Sequence, residues 1–199
     1  MKSNICKIEN GTGDLEAILK ESQRVAEYNG LNHKQTLQLR LLCEEIDGML
    51  PNIIDDFEGE LWIDYNEGVC KVNVSISIPE ITAAKREELI AVSKAGRNAA
   101  AVGISGRIRH AIESFILDQK ALGTVVAPAA ILCLTSGYSD TVDYASLWTL
   151  EGYKSTLKKE DQVEAWDELE KSVIANLADD VIVGIKGNRA DLILIKKFA

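Results

Sequence analysis

The chain has 199 residues, with 31 acidic against 22 basic side chains and a formal net charge of −9; that length suits one domain. The acidic excess argues against nucleic-acid binding, which needs a basic face, and against docking on an anionic lipid surface. A hydrophobic content of 46% with 27% charged residues is the balance of a globular protein whose core needs no disulfide or metal staple.

The opening MKSNICKIENGTGD lacks a continuous apolar run, so no secretory leader is expected there. Asp14 is placed to cap a first helix, with Leu15, Ile18, Leu19, Ser22 and Val25 at helical spacing and a stop at Asn29-Gly30. A longer helix is expected from Asn32, carrying Leu39, Leu42, Cys43, Ile46, Met49, Leu50 and Ile53 on one stripe. Pro51 is expected to kink or end it, because proline removes an amide donor and crowds the preceding turn.

Two strands follow. Glu60–Tyr65 turns at Asn66-Glu67-Gly68, and residues 69–78 then alternate apolar and polar as a half-buried strand does. Ile81–Ser93 reads as a helix. Next comes KAGRNAAAVGISGRIRHAI, which holds Lys94, Arg97, Arg107 and Arg109 with no acid. Its glycines, Gly103 and Gly106, are expected just before a helix at Ile108–Leu117. Glycines beside a helix start let backbone N–H groups approach a phosphate, which the helix dipole favours; an ordinary loop with solvated basic residues is the alternative. Asn98 sits among alanines in the same island.

Val125–Leu134 reads as a buried strand or a helix, too short and too interrupted by Pro128 to span a bilayer. Leu147, Trp148, Leu150, Tyr153 and Leu157 suggest helical packing, and Asp161 begins a helix expected to continue through Leu177. A hairpin closes the sequence: Asp180–Ile185, a turn at 186–189, then Ala190–Phe198. The layout is α+β, a two-layer sandwich with helices on one face of a mixed, mostly antiparallel sheet. One domain over 1–199 is expected, with room for a helical insertion at about 136–160.

Four cysteines are scattered without a CxxC pair, and histidine occurs only at positions 33 and 110. A reduced, cytoplasmic setting is the simplest reading, and a histidine-based zinc site or catalytic triad is disfavoured. Glu44, Glu45 and Asp47 stand beside the apolar stripe of the long helix. A carboxylate on its inward edge can serve as a general base toward water; a solvated acidic face is the alternative.

The sequence LRLLCEEIDGML, followed by a strand hairpin, then GISGRIRHAIESFI and a closing LADDVIVGIKGNRADLILIKKF, resembles the GHKL ATPase family in the order of its elements. That family includes the ATP domains of gyrase, the histidine kinases and the anti-sigma serine kinases; the likeness looks nearest to small stand-alone bacterial ATP-binding proteins. The resemblance implies a histidine-kinase-like ATPase fold and an adenine nucleotide as ligand. It implies Glu45 or Glu44 as the group orienting water, with ATP hydrolysis or serine/threonine phosphoryl transfer as the reaction. Lys94, Arg97, Asn98, Gly103, Gly106 and Arg107 would hold the nucleotide. The family's magnesium-ligating asparagine falls on Met49 counted from Glu45, or on Gly48 counted from Glu44, with Asn52 one turn beyond Gly48. The segment SISIPEITAAKREEL lacks the family's Asp-x-Gly-x-Gly box. These departures leave magnesium unassigned and keep a second class open: a non-catalytic regulator that binds a protein partner, with Tyr138–Trp166 supplying aromatic anchors. A homodimer is compatible with either class.

Overall fold

The structure, a computed structural model, describes residues 1–10, 14–54, 56–77, 103–118, 146–157, 171–186 and 188–198. Its elements in chain order are β1 (Cys6–Glu9), α1 (Leu15–Tyr28), α2 (His33–Ile53), β2 (Glu58–Asn66), β3 (Val69–Ser77) and α3 (Gly103–Asp118). They continue as β4 (Ser146–Thr149), α4 (Leu150–Thr156), α5 (Val173–Leu177), β5 (Asp180–Lys186) and β6 (Arg189–Lys197). The strands form one sheet in the order β1-β2-β3-β6-β5-β4. Every pair is antiparallel, so no parallel pairing occurs among the described residues. The architecture is an α+β sandwich.

Local chemistry explains the helix starts. The Asp14 carboxylate accepts the Ala17 amide at 3.0 Å. Asn32 and Gln35 form a reciprocal capping box: the Asn32 side chain accepts from the Gln35 amide at 3.0 Å, and the Gln35 side chain accepts from the Asn32 amide at 2.9 Å. Gly30, at φ +66°, ends the turn after α1. Pro51 does not end α2, which runs on to Ile53. The proline lies in the last turn, where only one intrahelical amide bond is forfeited before the helix stops anyway.

The β2–β3 hairpin turns on Glu67 at φ 48° and Gly68 at φ 82°, the pair of positive angles that matches the twist of a two-residue hairpin. The strand parity then directs Leu61 and Ile63, with Val72, Val74 and Ile76, toward the helices. They meet Ile18 and Val25 of α1, and Leu39, Leu42, Ile46 and Leu50 of α2, in one buried cluster that β5 and β6 extend with Val181, Val183, Leu192 and Leu194. Burial of each such side chain contributes about 1.5–3 kcal/mol, and this apolar layer fixes which face of the sheet the helices cover. Cys6, Cys43 and Cys70 are buried there as free thiols. Burial pushes the Cys70 thiol up to about 12, and raises Cys43 further, so neither is poised as a nucleophile.

Three sequence expectations are corrected, and one element is added. A short strand, β1, lies within the opening segment and pairs with β2; four residues are too few to show a period. The helix after the basic island starts at Gly103 rather than Ile108, so both glycines lie in its first turn. Leu147 and Trp148 are in β4, paired with Gly184 and Val183 of β5, and helix begins only at Leu150. No continuous helix reaches Leu177 from Asp161: Ser172 interrupts with extended backbone and caps α5, accepting the Ala175 amide at 3.2 Å. The readings at 81–93 and 125–134 lie outside the described residues.

Candidate functional site

A groove of about 550 Å³ lies between the C-terminal half of α2, the first turn of α3 and the start of α5. The α2 side supplies Glu44, Glu45, Gly48, Met49 and Asn52; the α3 side supplies Gly103, Ile104 and Ser105; Lys171, Ser172, Val173 and Ile174 close the third wall. Its size falls within the ~300–1,000 Å³ typical of small-molecule sites.

Helical spacing explains the α2 wall. Glu45, Gly48 and Asn52 recur at three- and four-residue steps, beside the buried stripe of Ile46, Met49 and Leu50. Because α2 continues past Pro51, Asn52 stays on the helix and reaches the groove one turn beyond Gly48. Glu44 is also held by Arg40, whose Nε lies 3.2 Å from its carboxylate on the same helix. Burial raises the Asp47 carboxyl pKa, but Asp47 does not line the groove.

Gly103 opens α3 with φ +73°, an angle that side chains with a Cβ rarely adopt, and among the described residues nothing beyond its chain neighbours and its own helix lies within 4 Å of where a Cβ would sit. The glycine is thus needed for its backbone angle and not for want of room. It places the first turn of α3 along the groove. Ile104 and Ile108 anchor the same helix in the core.

The residues anticipated from sequence are only partly gathered here. Glu44, Glu45 and Gly103 line the groove; Gly106 does not. Arg107 points elsewhere: its guanidinium lies 5.4 Å from the centre of the Tyr153 ring on α4, and its Nε is buried without a hydrogen-bond partner. Arg109 pairs at 3.0 Å with Glu113 along α3. Lys94, Arg97 and Asn98 lie outside the described residues. Ser105, Lys171 and Ser172 line the groove without having been singled out. Ser172 carries a legible signal, a serine three residues ahead of a backbone amide it caps; Lys171 carries none.

Among the described residues, no group of three or more His, Cys, Asp and Glu side chains is arranged to hold a metal ion. The oxygen donors on the α2 wall are the two glutamates and Asn52, while Met49 is buried and Gly48 has no side chain. Also among the described residues, no helix is long and apolar enough to cross a membrane. No protein-family model matches the chain, and neither a curated protein nor a solved structure is significantly similar to it.

Proposed function

We propose that the groove between α2 and α3 binds an adenine nucleotide, as the resemblance to the GHKL ATPases implies. The observation that supports this reading most directly is the meeting of two distant segments. Carboxylates on α2 and the glycine-led start of α3 line one groove. The positive dipole end of α3 suits phosphate oxygens, and Lys171 adds a cation to the same lining. Glu45, or Glu44 beside it, is the carboxylate to orient a water in hydrolysis or an acceptor hydroxyl in phosphoryl transfer. Magnesium would be held chiefly by the phosphates and waters, with a groove glutamate and the Asn52 amide oxygen as the protein's hard donors. Arg107, turned onto Tyr153, is not assigned to the phosphates.

Titration calorimetry with a non-hydrolysable ATP analogue tests the reading. Saturable heat is expected, with affinity weakened about tenfold or more in Gly103→Ala, because the substitution strains the turn that opens α3. Absence of heat at millimolar nucleotide would retire the proposal.

One observation favours the regulator as a second reading. Leu37 and Leu41, four residues apart on α2, are 51% and 36% exposed, and Tyr28 at the end of α1 is 76% exposed. Such apolar side chains suit a protein partner. Loss of partner capture in Leu37→Glu, with nucleotide binding absent from the parent chain, would favour that class.

A further inference from the structure

The face of the sheet turned away from the helices carries a second concavity, of about 570 Å³, over β2, β3 and β6. It lies on the opposite layer from the α2–α3 groove and does not depend on the nucleotide reading. Its apolar contributors are Trp62, Ile193 and Ile5, the last 53% exposed. Its charges are Lys2 and Arg189 against Glu60 and Asp191, with Arg189 Nη2 already 3.8 Å from the Glu60 carboxylate of the same chain. Beyond the concavity, Lys71 lies opposite Asp64 across β2 and β3, again with opposed sign.

These side chains are already held in place. The Trp62 indole donates to the Asp64 carboxylate at 2.9 Å, and the Lys2 ammonium lies 4.8 Å from the centre of its ring. Arg189 Nε donates to the Ser75 hydroxyl at 3.0 Å, and that hydroxyl donates to Asp191. Asn73 and Ser75 are 7% and 4% exposed although they point away from the helical layer. A surface ordered in advance loses little conformational entropy when it is covered.

We propose that this outer face docks a second copy of the same chain about a two-fold axis. Charge decides the occupant. A chain with net charge −9 repels its own copy over most of its surface. This patch is neutral in sum and mixed in sign, so a two-fold rotation can set Lys2 and Arg189 of one copy against Glu60 and Asp191 of the other. A uniformly basic or uniformly acidic partner would meet as much repulsion as attraction. Trp62 and Arg189, both in its lining, are residue types that dominate interface energetics.

Sedimentation equilibrium of the full chain reads the outcome. A monomer–dimer equilibrium is expected at micromolar concentration. Arg189→Glu and Glu60→Arg are each expected to weaken it about tenfold or more, whereas an equimolar mixture of the two single variants, which restores opposite signs between copies but not within one, recovers to within about threefold of the parent. Circular dichroism melts establish that each variant is folded. If Arg189→Glu unfolds through its loss of Ser75, the pair Lys2→Glu and Glu60→Lys gives the same readout. A parent chain that stays monomeric overturns the proposal. So do single variants that dimerise as the parent does, or a mixture of the two no better than the weaker single.

Discussion

Asp180 shows how one side chain joins two elements. It is 4% exposed, and its Oδ1 accepts the Glu151 amide at 3.0 Å and the Val181 amide at 2.8 Å, tying the first turn of α4 to the start of β5. Burial raises its pKa despite those two donors. A raised folded-state pKa favours the fold at acid pH, and this contribution is lost as pH rises through the raised value. Asp180→Asn keeps the accepting oxygen and removes the buried charge. It is therefore expected to be no less stable than the parent at pH ~7, with its advantage shrinking as pH falls toward the carboxylate range. Asp180→Ala leaves two amides without an acceptor and should lose about 2 kcal/mol or more. Urea unfolding at several pH values checks both. The sequence marks Asp180 only as a strand start; its reach to residue 151 depends on a pairing that no local pattern encodes. Arg107 is the converse case. Its place in a glycine-bearing basic island suggested phosphate, but tertiary packing turned it onto an aromatic ring more than forty positions on.

At the scale of elements, capping chemistry and apolar period made α1, α2 and both long hairpins legible. Each carries its determinants within a few residues: Asp14 and Asn32 at the starts, Gly30 and Gly68 at the turns. The Asn32–Gln35 box makes α2 the clearest instance. Asn32→Ala is expected to cost about 1 kcal/mol, and Asn32→Asp to retain most of the stability, as read by denaturant midpoint at unchanged slope. Less was legible where an element borrows its partner from afar. β4 has four residues and exists through β5; α5 has five and begins wherever Ser172 can cap it. Helical period read through Leu147 and Trp148 fails because two consecutive apolar residues fit either backbone. The groove was half legible. Its α2 wall follows from periodicity, and its glycine-led α3 wall from composition, but the α5 wall arises only from folding.

Over the whole molecule, the α+β layering follows from two counts of period, since helical stripes and strand alternation each leave one apolar face to be covered. The strand order does not follow from them. β6 lies between β3 and β5 and pairs with both, aligning Val74 with Leu192 and Val183 with Leu192. The sheet is thus two three-strand sets, β1-β2-β3 and β6-β5-β4, joined along a single seam. Deleting residues 189–197 should abolish cooperative thermal unfolding outright rather than lower its midpoint, because it removes the ladder on both sides at once. Calorimetry of the shortened chain provides the check.

That seam also orders events during synthesis. The first hairpin leaves the ribosome with the bonding edge of β3 bare, and its complement is encoded more than a hundred codons later. Until then the nascent polypeptide carries a row of open amides and carbonyls beside half-covered valines, the kind of surface that holdase chaperones shield and that neighbouring polysomal chains can cross-pair with. Expression yield should accordingly respond to translation speed and chaperone supply more than to the stability of the finished fold.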